Sequence, residues 1–275
     1  MDIFISIEKN EMEALENILN TIKGQNFTKD VYKACPYSVS RIVETLKEPF
    51  DADAVAKKTF LKRFEDEKSV YYHMSVDEIK AMWAKNADEG KLNGKLLDQY
   101  IGYTLEPGPD TARIKQKFLS SIDDIPKRKC MMFDDFYQKN ISGKLSYVCR
   151  ETLLLDMRHK INGRLDALFT AGDTVILIDW KNTADIKTSN SFAKLKGPLY
   201  NYDMCDLNTY SIQLYLYKYM LKNIYGIENQ IVPMIVRIGE KDFGIYQPQI
   251  PYSDSLIEDV IDFAVNEINI QTERI

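Results

Sequence analysis

Histidine is nearly absent from this chain, with two in 275 residues, and its four cysteines never form a CxxC pair. His73 and His159 show no ligand-like spacing to each other, so a surface place is expected for both. Cys35, Cys130, Cys149 and Cys205 are too scattered for a zinc ribbon or a disulfide framework, and reduced thiols are expected. Long hydrophobic runs are missing as well: no window reaches the ~18 uninterrupted apolar residues of a membrane span. The opening MDIFISIEKNEMEALE has no basic leader, and Glu8 and Lys9 break its apolar run. That excludes a signal peptide of the usual form and gives a cytoplasmic expectation, the host cytoplasm if the source is a virus. Positive charge is also scarce. A net charge of -5 provides no global field to gather nucleic acid, so any such contact must be local. The same acidity suits proteins that hold divalent cations on carboxylates, because the metal then supplies the positive charge.

What is present describes an ordinary globular chain, 45% hydrophobic and 28% charged, long enough for one large α/β domain or two small ones. From about residue 8 to 142 the apolar positions recur at helical spacing, as in Ile79, Met82 and Trp83. Ser38 opens one helix, and Ser75 with Glu78 forms a capping box for another. Glu106 to Asp110 reads as a loop. After Gly143 the pattern turns to strands at 145–156, 160–172 and 173–182, parted by turn chemistry, which predicts an antiparallel meander. Val175 to Ile178 is continuously apolar, as a central strand covered on both faces should be. A helix from Asn208 to Tyr225 ending at Gly226, strands at 231–238 and 244–250, and a helix from Ser253 to Ile268 complete the reading. No repeat or low-complexity tract interrupts it. Segregated helices and strands predict an α/β (α+β) class: an α/β/α layered core with a mixed sheet over 143–275, and an N-terminal helical region over 1–142 covering its cleft.

The chemistry centres on Ile178-Asp179-Trp180-Lys181. On a strand, Asp179 and Lys181 point to one face because side chains alternate. Asp166, placed at the end of the preceding strand, can be brought beside Asp179 by a hairpin. Two buried carboxylates repel unless something positive lies between them, and a divalent cation answers that need. Asp166, Asp179 and the Trp180 backbone carbonyl would hold Mg²⁺ or Mn²⁺, one ion or two, leaving room for a phosphate and a water. Lys181 could orient or deprotonate that water, or stabilise the charge of a pentavalent phosphorus. An isolated DxK triplet is common and is usually a solvated strand edge; here it follows a GxxD at Gly163 to Asp166 and an apolar strand.

NGRLD, IDWKN and Gln213-Leu-Tyr-Leu-Tyr217 together resemble the GxxD, DxK and QxxxY motifs of the RecB-like group in the PD-(D/E)XK nuclease superfamily, which includes phage exonucleases. YSVSRIVETLKEPFDADAVAK, the Trp83 helix and LKGPLYNYD resemble phage-encoded members, so the likeness spans most of 37–265. It implies a restriction-endonuclease-like core and a Mg²⁺- or Mn²⁺-dependent deoxyribonuclease, an exonuclease working on single strands or ends. A structure-selective endonuclease and a nuclease fold kept only for binding are the alternatives. Replication or recombination would be its setting, with proteins of those processes as partners. Asp166 and Asp179 would bind metal, Lys181 would be catalytic, and Gln213 and Tyr217 would brace the site or contact DNA. For the tyrosines of this helix, packing on the sheet is the other reading.

Where relatives carry GxxxH, this chain reads Gly94-Lys-Leu-Leu-Asp98. Asp98 either takes the histidine's place as a hard ligand or is a solvated helix carboxylate. Glu151 on the first strand is a further candidate ligand, or an exposed strand residue. No cysteine cluster follows the QxxxY helix, so no iron-sulfur cluster is expected. Between Lys181 and that helix, Lys187, Lys194 and Lys196 alternate with Phe192, Tyr200 and Tyr202. That mixture suits a flap contacting single-stranded DNA, against the alternative of an ordinary surface loop.

Overall fold

The computed structural model describes residues 15–24 and 28–273. The opening residues, on which the reading of the N-terminus and the start of the helical pattern rest, lie outside these. Helix α1 (15–23) is followed by α2 (Lys29–Ala34), strand β1 (Tyr37–Ser38), α3 (Val39–Thr45), α4 (Ala52–Arg63), α5 (Val76–Leu105), α6 (Thr111–Ser121) and α7 (Asp124–Asn140). The strands β2 (Ser146–Asp156), β3 (Ile161–Ala171) and β4 (Thr174–Lys181) come next, then α8 (Asp206–Tyr219), β5 (Ile231–Ile238), β6 (Phe243–Tyr246) and α9 (Asp254–Glu273). The fold is mixed α/β.

Two compact units divide the chain. One is Glu48–Cys130; the other holds the described residues of Met1–Lys47 and Met131–Ile275. Residues 15–47 and 131–142, grouped by sequence pattern with the helical region, therefore cluster with the sheet. The reason is packing: α3 lies against β3, α8 and α9, with Val39 and Ile42 fully buried. A short amphipathic helix has no stability of its own and goes where its apolar face is covered.

In the sheet unit, β2, β3 and β4 form the expected antiparallel meander, and β4 pairs in parallel with β5 through a crossover carrying α8. Antiparallel β6 closes that edge. Pro233 is tolerated inside β5 because β6 begins pairing only at Ile235, so no partner asks there for the missing N–H. One edge of β3 is lined throughout by β2, while the other is shared: β1 pairs at Ile161 and Asn162, and β4 from Ala167 onward. Residues 163–166 face a fork between the two.

Helices cover both sheet faces. On one, α8 is buried almost all round its circumference, with Leu214, Leu216 and Tyr219 at 1% exposure or less, as a helix apolar on every side must be. On the other, Phe133 and Phe136 of α7 meet the Trp180 ring edge-on at 5.4 and 5.7 Å. The helix expected over 208–225 is α-helical only to Tyr219. Met220–Ile224 is a π turn in which Tyr225 N bonds Met220 O, and Gly226 ends it at φ 75°. The last strand is also shorter than its sequence pattern, stopping at Tyr246 ahead of Pro248, and the final helix runs on to Glu273.

The unit Glu48–Cys130 is helical. Asp51 caps α4 by accepting from Ala54 N at 2.9 Å, and the Ser75–Glu78 capping box opens α5 as expected. Helix α5 packs against α4 and α6, with Trp83 Nε1 donating to Tyr71 Oη at 3.1 Å. Asp98 lies on α5, half-buried. Among the described residues all four cysteines are free and buried, and no helix is long and apolar enough to cross a membrane.

Candidate active site

The fork in the sheet sets the site. Asp166 lies not at a strand end but inside β3, one residue before β4 begins to pair, and in register it stands opposite Asp179 near the end of β4. Leu165 and Leu168, three positions apart, belong to the same buried core cluster, so strict alternation is interrupted between them. The partner strand is distorted at the matching place. Glu151 has φ 48°, and the ladder pairs Arg150 with Ala167 and Thr152 with Leu165 but leaves Glu151 and Asp166 unmatched. A left-handed non-glycine residue inside a strand costs about 1–3 kcal/mol, and such strain concentrates at functional sites.

Asp179, Lys181 and Gln213 form a closed ring. Lys181 Nζ is 2.7 Å from Asp179 Oδ2 and donates to Gln213 Oε1 at 3.1 Å, while Gln213 Nε2 donates to Asp179 Oδ1 at 3.1 Å. The amide orientation is dictated by its neighbours: the ammonium can only donate and the carboxylate only accept. The Tyr210 ring lies under the ammonium at 4.2 Å, a cation–π contact. Tyr210 was not among the expected site residues; its place three residues before Gln213, on the same helix face, was the available signal. Asp166 Oδ2 accepts from Trp180 N at 2.7 Å, joining the second carboxylate to β4 through the backbone.

Gly163 explains the GxxD pattern. A Cβ there would stand 2.6 Å from both Tyr217 Cε1 and Val39 Cγ2, so only glycine lets α3 and α8 close on β3. The Tyr217 hydroxyl then donates to Arg164 O at 2.8 Å, tying α8 to the segment that carries Asp166. A cavity beside Asp166 is lined by Ser38, Ser40, Arg164, Gln213 and Tyr217.

Burial drives the electrostatics. The Asp166 carboxyl is pushed well above the usual range by desolvation and then by the Asp179 charge. Desolvation also raises Asp179, against the opposing pull of Lys181. For Lys181 desolvation works downward, but Asp179 and Asp166 outweigh it and the ammonium is held charged above its ordinary value. Burial, then Asp166 and Asp179, raise the Tyr217 hydroxyl far beyond its normal range, so it stays protonated as a donor.

This arrangement fits a divalent cation. Two desolvated carboxylates, Asp179 buried and Asp166 half-buried, are held close together at a penalty that a shared cation would remove. Lys181 meets Asp179 Oδ2 as an ion pair at 2.7 Å, and a carboxylate oxygen so paired keeps a second lone pair to offer. Among the described residues no three His, Cys, Asp or Glu side chains gather as a ligand cluster. Glu151 acts on Asp166 through its charge and pairs with Arg164 at 3.6 Å. The Trp180 side chain leaves the site for the opposite sheet face, as the period of two requires. Of the loop lysines, Lys194 is engaged by Asp203 at 2.7 Å, and Lys196 N bonds Leu46 O.

No protein-family model matches the chain, and no curated protein matches it by sequence. Among solved structures, one similar in outline is a "Putative exonuclease" from Eubacterium rectale, at 13% identity and a TM-score of 0.42, covering 90% of this chain and 85% of that one. A second, SSO0001, is 11% identical with a TM-score of 0.32, covering 93% and 84%.

Proposed function

We propose that this chain is a metal-dependent DNA nuclease of the PD-(D/E)XK type that hydrolyses phosphodiester bonds, acting as an exonuclease on single strands or DNA ends. One observation carries the reading: the half-buried carboxyl of Asp166 and the buried one of Asp179 come together at a sheet fork, where each feels the other, with Lys181 fixed to Asp179 directly and through Gln213. Asp166, Asp179 and the Trp180 carbonyl would hold Mg²⁺ or Mn²⁺, one ion or two, with Glu151 as a further ligand. A bound ion supplies Lewis acidity at a phosphoryl oxygen and a more acidic water. Lys181, held charged by its acidic neighbours, is suited to stabilising negative charge on the phosphoryl group rather than to accepting a proton. Gln213 keeps that ammonium and Asp179 in fixed relation, and Tyr217 holds β3 against α8. Lys194 and Lys196 belong to a segment that would guide the strand. A role in replication or recombination, of the phage type, rests on the sequence resemblance alone.

The test is cleavage of end-labelled linear DNA beside a sealed single-stranded circle, in Mg²⁺ and in Mn²⁺. Loss of linear DNA with the circle intact is expected, and Asp179→Asn and Lys181→Ala should abolish it while the protein stays folded. A cut circle would make the protein an endonuclease. Undiminished turnover by either variant would remove those residues from the mechanism. Absence of cleavage and of Mn²⁺ binding in the unaltered protein would leave only a binding role.

A further inference from the structure

The segment between β4 and α8 buries Leu195 and Leu199, at 3% and 0% exposure, yet presents Phe192 at 98% and Tyr200 at 66%. Phe192 is thus a full aromatic ring with almost no intramolecular contact, in a stretch that had a core available. The backbone beneath it is firmly braced. Phe192 N donates to Asn190 Oδ1 at 3.0 Å, Asn190 N to Asp203 Oδ2 at 2.9 Å, and Asn190 Nδ2 to Met204 O at 2.8 Å. Lys194 pairs with the same Asp203, and Met204 N and Leu195 N close the hairpin on Ala193 O and Tyr202 O. A ring held out on a pinned hairpin has already lost the backbone freedom that binding would otherwise cost.

The hairpin is anchored next to the catalytic ring of residues. Lys187 N donates to Asp206 Oδ2 at 3.0 Å, and Leu207 N to Lys187 O at 3.0 Å, at the first turn of α8. Tyr210, which carries the Lys181 ammonium, lies four residues further along that helix, about 6 Å at the usual helical rise. Exposed Ser189, Ser191 and Asn201 flank the two aromatics, so the apolar surface is far too small and interrupted for a stable protein interface. It matches a single flat, apolar face presented beside a charged backbone, and the exposed Lys187 at the hairpin's base supplies charge for that backbone.

We propose that Phe192 is a stacking post for an unpaired nucleobase of the strand entering the Asp166–Asp179 site. This rests on the nuclease reading above for the identity of the ligand, and gives it a preference for strands whose bases are not paired. Stacking is indifferent to base identity because every base offers a π face.

The experiment measures binding of a labelled single-stranded oligonucleotide by fluorescence anisotropy in EDTA, where cleavage cannot interfere. Oligonucleotides carrying one abasic position are scanned alongside. Phe192→Ala should weaken binding about tenfold, Phe192→Trp should restore it, and Phe192→Leu, apolar but without a π face, should not. One abasic position should weaken binding by the unaltered protein and cost nothing extra to Phe192→Ala. Equal binding by Phe192→Ala, rescue by Phe192→Leu, or additive costs at every abasic position would overturn the proposal. So would unchanged binding joined to a loss of self-association in gel filtration. The side chain is solvent-exposed, so these variants should fold. The outcome is separable from that of the nuclease reading: Asp179→Asn tests cleavage with Phe192 intact, and the abasic cycle reports stacking without cleavage.

Discussion

Gln213 Nε2 stands 3.1 Å from Asp179 Oδ1, so a residue on α8 fixes a carboxylate on β4 from across the site. The other end of the same amide receives the Lys181 ammonium. Removing it by Gln213→Ala should leave the fold intact, since the side chain is only partly buried. Cleavage should fall roughly 10- to 100-fold, as is usual for groups that orient metal ligands. Steady-state kinetics check this: a fall confined to kcat is expected, and a pure rise in KM would assign Gln213 to substrate binding instead.

Asp166 and Asp179 bring a stability cost that pH should reveal. Both carboxyls are raised in the fold, chiefly by burial, so the folded state binds protons more tightly than the unfolded chain. Between the ordinary carboxylate range and the raised folded values, stability should therefore fall as pH rises. Thermal melting in EDTA should show a lower Tm at neutral pH than at mildly acidic pH, and saturating Mn²⁺ should flatten that slope. A Tm independent of pH in EDTA would contradict the electrostatics.

Asp166→Asn separates stability from function at one position. The amide oxygen can still accept from Trp180 N while the desolvated charge is gone. Melting in EDTA should give an equal or higher Tm than the unaltered protein. The rise in Tm caused by Mn²⁺ should shrink or vanish, and cleavage should be lost.

Gly163→Ala tests the closeness of α3, α8 and β3. The added methyl would stand 2.6 Å from both Tyr217 and Val39, each held in packed surroundings. Overpacking of this kind costs about 1–3 kcal/mol, measurable as a lower urea midpoint with unchanged slope. An unaffected midpoint would mean that the interface yields freely.

Tyr217→Phe keeps the ring against Gly163 but withdraws the hydroxyl from Arg164 O. Losing a single intramolecular hydrogen bond costs about 0.5–1.5 kcal/mol. Denaturation should register that loss. A variant as stable as the unaltered protein would show that the ring alone matters, which is the packing reading of this tyrosine.

The meander of β2, β3 and β4 was legible because its signals are local: alternating or continuous apolar runs parted by turn residues. So were the Ser75 capping box and the end of the helix at Gly226. Lys181 and Asp179 could be put on one face from their spacing alone. The π turn at Met220–Ile224 carries no comparable signal, since it changes hydrogen-bond partners without changing the apolar pattern.

By itself the sequence determined the strands from β2 to β6 along the chain, though neither the short β1 nor the length of the last strand, and which acidic, basic and amide side chains could share chemistry, because period and turn residues act within a few positions. The tertiary structure alone decided that Asp166 sits at a fork where β3 passes from β1 to β4, that Glu151 is strained opposite it, and that Gln213 closes the ring. Those relations join residues distant in the chain. They are set by how α3 and α8 pack on the sheet, where Gly163 leaves the space.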